Sequence, residues 1–244
     1  MNRLSSSGLS FFACFILLSL FYHLAQPFRK SLYTTLAHSE VLRRNFPLLT
    51  DAASVIADQQ VRNRGTLGGS VAHFDPAGDM PGVVLALKAE IVAQGPQGKR
   101  SIKADDFFVD TFLTALNADE IVTEIRFALP PARTGSAYIK LENKASHYAI
   151  TGCAAVISLG GDGTCSAASL TITGAASRTT RASAAEAVLI GKKLNEATIA
   201  EATSHAADEL NLISDIHGSL EYRRQMTGVI AHRAMMKALA SLHV

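Results

Sequence analysis

Beyond Ser31 the apolar positions follow two periods, and the switches between them mark the elements. In "SEVLRRNFPLLTDAASVIA", Val41, Leu42, Phe46, Leu49, Ala52 and Val55 make a helical stripe. Pro47 interrupts it, so two short helices are predicted there. "MPGVVLALKAEIVAQ" runs a helical turn into a strand, and "GPQG", Gly95 to Gly98, is turn chemistry before "KRSIKA", which predicts a hairpin. "ADDFFVDTFLTAL" reads as helix and "EIVTEIRFAL" alternates as a half-buried strand. Pro130 and Pro131 bias the backbone to extended structure and form the best linker in the chain. Past them come three strands, "SAYIKLE", "AITGCAAVISLG" and "TCSAASLTITGA", the last two joined by a "GGDG" turn. Three helices follow: "RASAAEAVLIG", with Ser183 and Glu186 at capping-box spacing and Gly191 as C-cap, then "EATIAEATSHAADEL" and "SLEYRRQMTGVIAHRAMMKAL". The predicted organisation is α+β, with segments 1–30, 31–131 and 135–244.

Residues 1–30 differ in kind. Leu9 to Leu24 is an uncharged apolar run with Arg3 before it and Arg29 and Lys30 after it, shorter than the roughly 20 residues a spanning helix needs. Three readings stand for it: a signal peptide, a marginal membrane anchor, or an atypical start outside the fold. A membrane is a partner only on the second; otherwise the expected location is the cytoplasm.

Composition removes several classes. The 244 residues are 48% hydrophobic with a formal charge of +2, and no basic block or aromatic-interleaved basic stripe is present, so nucleic acid is not an expected partner. Cys14, Cys153 and Cys165 are far apart, and none of the eight histidines falls at H-x-x-x-H spacing. No disulfide framework and no metal bound by this chain are therefore expected. No nucleophile-base pair or G-x-S-x-G elbow is recognisable, so no catalytic residue is assigned.

The chemistry concentrates in "RNRGTLGGSVAHFDPAGDMP", Arg62 to Pro81. Gly65, Gly68 and Gly69 lack Cβ, so the chain there can take positive φ and turn successive N–H groups toward a ligand. Such a concavity suits a phosphate, with Thr66 and Ser70 adding hydroxyls. Asp79 would repel phosphate and is better placed on a hydroxyl-bearing part of the ligand. The alternative is a glycine-rich turn that binds nothing. The stretch is neither a P-loop nor G-x-G-x-x-G after a strand.

As a whole, "QVRNRGTLGGSVAHFDPAGDMP" resembles the second flavin-binding segment of the FAD subunits of molybdenum hydroxylases, whose pattern is about V-R-N-x-G-T-I-G-G-S-x-A-x-A-D-P-x-x-D-x-P. "DDFF", "DEIVTEIRF", "SAYIKLENKASHYAITGCAA" and "SDIHGSLEYRRQM" extend the resemblance to the C-terminal domain, so that it covers about Leu32 to the end. It implies an FAD-binding PCMH-type second subdomain followed by a CO dehydrogenase flavoprotein C-terminal-like domain, a three-stranded antiparallel sheet with helices. Thr66, Leu67, Gly68, Gly69 and Ser70 match the turn around the FAD pyrophosphate, and Asp79 the acid that hydrogen-bonds FAD. Val122 matches a residue whose backbone faces it, and Lys140 the lysine near the flavin ring. Read without the resemblance, Lys140 is a strand-edge surface lysine; Ile56 reads equally as flavin neighbour or core.

In the family this subunit relays electrons from an iron-sulfur small subunit, fed by a molybdenum-pterin large subunit, to an acceptor such as NAD. The resemblance therefore implies an oxidoreductase subunit with FAD as cofactor and those two partners, the large one holding the substrate site. Family members begin with a subdomain carrying an A-G-G-x-S-L turn. This chain has none, and Leu32 to Val41, "LYTTLAHSEV", matches the following I-G-A-x-T-T-H-x-E-V strand imperfectly. The expectation is a truncated or replaced start, with a non-catalytic remnant that folds or docks without FAD as the competing reading.

Overall fold

The computed structural model describes residues 31–242. The apolar segment and its three readings lie outside the described residues.

The first part of the chain is mostly helical. It contains α1 (Tyr33–Ala37), α2 (Glu40–Asn45), α3 (Pro47–Val55), α4 (Gln59–Arg62), α5 (Leu67–His73) and α6 (Asp79–Ala86). Ser39 caps α2 by accepting from the Leu42 N–H, and Pro47 opens α3, where its missing N–H costs nothing. The two helices read from the sequence are thus α2 and α3. The hairpin is present as β1 (Glu90–Gly95) and β2 (Gly98–Lys103), with β5 (Ile121–Arg126) on the other side of β1. "ADDFFVDTFLTAL" is not one helix. It breaks into α7 (Ala104–Phe107) and a small hairpin, β3 (Phe108–Asp110) with β4 (Leu113–Thr114). Phe107 and Phe108 are both buried and meet edge to face, and Phe108 also packs on Phe74. Burying both adjacent rings overrides the local helical pattern.

The second part is a meander, β6 (Thr134–Glu142), β7 (Ala149–Leu159) and β8 (Cys165–Thr173), antiparallel throughout. A fourth strand of two residues, β9 (Thr180–Arg181), extends the edge beyond the three expected. Three helices follow, α8 (Ser183–Leu189), α9 (Glu196–Ser204) and α10 (Leu220–Ala240), with α9 ending at Ser204 where the helix expected from the sequence runs on to Leu210. The capping box at α8 does not form. Ser183 is already inside the helix, and the Glu186 carboxylate turns to the sheet, accepting from the Leu170 N–H and pairing with Arg181. Gly191 is left-handed as a helix terminator requires.

Both faces of this sheet are covered, and strand alternation sorts its residues between them. Ala137, Cys153, Ile157, Leu170 and Ile172 join a core with α8, α9 and α10. Tyr138 and Ala154 point the other way and belong to the core of the first part, with α3 and α6. On that face the Thr171 hydroxyl donates to Gly82 O, and a Cβ on Gly82 would sit 2.5 Å from the Thr173 methyl. Helix α6 therefore lies directly on the sheet. On the opposite face a Cβ on Gly135 would come within 2.1 Å of Ala238 O, a backbone atom with nowhere to retreat. Gly135→Ala should accordingly cost about 2 to 3 kcal/mol by forcing α10 off β6, which urea denaturation measures; an unchanged midpoint would contradict this packing.

Candidate functional site

The glycine stretch is not the open loop its composition suggests. Among the described residues, the glycines at positive φ are Gly98, Gly163, Gly174 and Gly191. Gly68 and Gly69 are the second and third residues of α5, capped by Thr66, whose hydroxyl accepts the Gly69 N–H at 3.0 Å. Small side chains are used instead for close approach: a Cβ on Gly65 would stand 2.5 Å from the Tyr33 ring, which packs over the turn. Several amides are already engaged: Tyr33 N–H donates to Gly65 O, Leu67 N–H to Ser31 O and Ser70 N–H to Thr66 O. Those of Thr66 and Gly68 have no partner among the described residues. Phe74 ends α5 in a left-handed turn with its ring buried, so the chain reverses toward Asp79.

A cavity of about 550 Å³ opens against this turn, within the usual span of small-molecule sites. Thr66, Gly69, Ser70 and Asp79 all line it, with Ile56 and Val61 as apolar wall and Arg64 as cation. Tyr33, His73, Asp75, His147 and Tyr148 also stand in the wall. Of the residues singled out from the sequence, Leu67 and Gly68 are buried beneath the turn instead. Val122 sits in β5 opposite Ala93, in the core.

Lys140 is no surface lysine, because its side chain is only 4% exposed. It stands behind Asp79 and donates to Asp79 Oδ2 at 3.0 Å and His147 O at 2.7 Å. The other Asp79 oxygen accepts from the Tyr138 hydroxyl at 2.5 Å. Burial pushes the Asp79 carboxyl above the usual carboxylate range, with Lys140 and then Tyr138 pulling it back. Burial likewise lifts the Tyr138 hydroxyl well above its ordinary value, and the negative charge of Asp79 adds to it. Tyr33 is raised by burial against a hydrogen bond with Ser70.

What the cavity can do follows from these groups. The Thr66 amide, the Thr66 and Ser70 hydroxyls and Arg64 suit an anionic group at the α5 end. The Asp79 and Lys140 pair presents a polar wall of no net charge, where the sequence alone suggests a lone acid and a lone cation. Among the described residues no group of three or more His, Cys, Asp or Glu could hold a metal ion, and no helix is long and apolar enough to cross a membrane. Sequence reasoning missed Tyr33, Arg64 and Tyr138. Tyr138 carried one usable signal: it shares a strand face with Lys140 two residues on.

Both parts of the chain are similar to known proteins. Residues 31–130 match the FAD binding domain in molybdopterin dehydrogenase, and residues 136–238 the CO dehydrogenase flavoprotein C-terminal domain. The 6-hydroxypseudooxynicotine dehydrogenase complex subunit alpha of Paenarthrobacter nicotinovorans is 36% identical, over 85% of this chain and 70% of that one. The carbon monoxide dehydrogenase medium chain of Hydrogenophaga pseudoflava is 36% identical, over 84% and 71%. The solved structure of carbon monoxide dehydrogenase from Hydrogenophaga pseudoflava lacking the Mo-pyranopterin moiety superposes with a TM-score of 0.83 at 38% identity. It covers 87% of this chain and 74% of its own.

Proposed function

Because the chain belongs to the FAD-binding medium subunits of the molybdenum hydroxylase family, we propose that its cavity holds FAD and that the chain passes electrons between partner subunits and an acceptor. The observation that carries this reading is that Thr66, Gly69, Ser70 and Asp79, drawn from two helices, line one cavity. The donor set fits the cofactor: amides and hydroxyls of the Thr66 to Ser70 turn for the pyrophosphate, Asp79 for a sugar or ribityl hydroxyl, and Ile56 and Val61 against a ring. When bound, FAD would supply redox chemistry that no side chain can, taking electrons from the iron-sulfur partner and passing them to an acceptor.

The protein's own part is to bind, orient and balance charge. Thr66 fixes the turn, Asp79 accepts from a ligand hydroxyl, and Lys140 neutralises Asp79 so that the acid can lie buried beside an anionic cofactor. The partners in this reading are an iron-sulfur small subunit and a molybdenum-pterin large subunit. Support comes from relatives that are medium chains or complex subunits.

Asp79→Ala should weaken FAD binding by about 1 to 3 kcal/mol, the cost of losing a buried hydrogen-bond partner. Level affinity with a lowered melting temperature would make Asp79 a structural group. The relay is tested by co-expression with candidate small and large subunits of the family. A stable complex with flavin-dependent dehydrogenase or oxidase activity is expected; oxidation of a purine or aldehyde by the isolated chain would overturn the reading.

A further inference from the structure

We propose that Tyr138 is a positioning residue of this site: its hydroxyl donates to the Asp79 carboxyl and fixes its orientation at the cavity wall. Its relevance to a ligand rests on the flavin reading above, whereas the coupling to Asp79 belongs to the protein alone.

The geometry is built for the contact. Tyr138 and Lys140 project from the same face of β6 and take one Asp79 oxygen each, at 2.5 and 3.0 Å. Thr173, on β8, places its hydroxyl 3.5 Å from that of Tyr138. Between the two lies Gly152 on β7, where a Cβ would stand 2.6 Å from Tyr138 Oη and 2.8 Å from Thr173 Oγ1. The absent side chain is what leaves room for the hydroxyl to reach the acid. Three buried polar groups of this kind gain little stability over an apolar filling. An acid kept at that cost on a cavity wall is there to face what the cavity takes. With two oxygens held by two donors, Asp79 keeps its remaining lone pairs in a set direction for a third.

The charged and titratable groups around the carboxylate are Lys140 and Glu142 from β6, Tyr33 from α1 and Tyr148 from the β6 to β7 connection. Asp75 lies beside Tyr148, and Arg64, His73 and His147 line the same cavity. Burial raises Asp79 above its unfolded value. Its neutral form therefore favours the fold below the ordinary carboxylate range, and that contribution is lost as pH rises through the raised value. Removing the Tyr138 hydroxyl takes a donor from the ionised form and raises Asp79 further, so the deficit of Tyr138→Phe should widen as pH rises.

The experiment measures thermal melting of the full chain from about pH 5 to about pH 9, with FAD fluorescence titrations, for wild type, Tyr138→Phe, Asp79→Asn and the double variant. Tyr138→Phe is expected to bind FAD about tenfold more weakly. Its melting deficit should widen with pH and vanish as a pH-dependent effect in the Asp79→Asn background. A deficit that is constant with pH and equal in both backgrounds would make Tyr138 a packing residue and overturn the proposal. Unchanged FAD affinity in Tyr138→Phe, with binding intact in wild type, would overturn it equally. If wild type takes up no FAD while the pH-dependent coupling persists, the flavin reading fails and the hold of Tyr138 on Asp79 stands.

Discussion

Gly69→Asp should lower FAD affinity more than a hundredfold and leave the fold standing. Gly69 is exposed on the cavity wall, and its N–H is held by the Thr66 hydroxyl. Any Cβ there would come within 2.8 Å of Thr66 Oγ1 and disturb the cap that shapes the turn. A carboxylate adds charge to that displacement. An acid about 5 Å from a phosphate, at an effective dielectric near 20, is repelled by about 3 kcal/mol, or more than a hundredfold in affinity. Gly69→Ala separates the parts, since it disturbs the cap without the charge and should lose far less. Fluorescence titration of FAD reads the affinity and circular dichroism the fold. Equal affinity in wild type and Gly69→Asp would reduce this turn to a structural element.

Arg223→Met should cause the largest loss of stability, about 3 to 5 kcal/mol, the usual result of removing one partner from a buried charged network. Arg223 is 2% exposed and ties three segments together from α10. It donates to Ile150 O at 2.6 Å, to Gly174 O at 2.7 Å and to both oxygens of Asp215 at 2.7 Å. Gly174 is held at φ +77° with Ala149 O against it, so its neighbours have no freedom to seek other partners. Asp215 is 39% exposed, and water can take over its share; the orphaned carbonyls carry the rest of the cost. Against some burial that would raise it, the Arg223 hydrogen bonds hold the Asp215 carboxyl below the ordinary carboxylate value. A depressed folded value means stability present above the unfolded value and lost as pH falls through the folded one. The acid limb of the wild-type melting curve should therefore flatten in Arg223→Met. A loss under about 1 kcal/mol, typical of surface pairs, would refute the clamp.

Much of the architecture was legible because it is locally encoded. Pro47 separates α2 from α3, "GPQG" closes β1 onto β2, and the strand candidates "SAYIKLE" and "AITGCAAVISLG" are β6 and β7. Where two rings demanded burial, as at Phe107 and Phe108, the tertiary core overruled the local pattern and one expected helix became a turn and a hairpin. The glycines misled about conformation for a related reason. A missing Cβ permits positive φ, but it also permits close packing, and Gly65 under the Tyr33 ring uses only the second. The site was legible as a motif but not as a network. Asp79 and Lys140 are 61 positions apart, and no spacing rule in the chain links them. Only the seating of α6 on the sheet, over β7 and β8, brings Asp79 to Lys140 and shows that acid and lysine are one pair with Tyr138 as its third member.

The central question is whether the chain holds flavin where Thr66, Ser70 and Asp79 converge. Titrating FAD into the purified full chain, with flavin fluorescence and visible absorption followed together, decides it. Saturable quenching at one FAD per chain, lost in Gly69→Asp and weakened in Asp79→Ala, is the predicted result. Wild-type chain that is folded by circular dichroism yet leaves flavin fluorescence unchanged would contradict it, and would mark the protein as a remnant that keeps the family's fold without its cofactor.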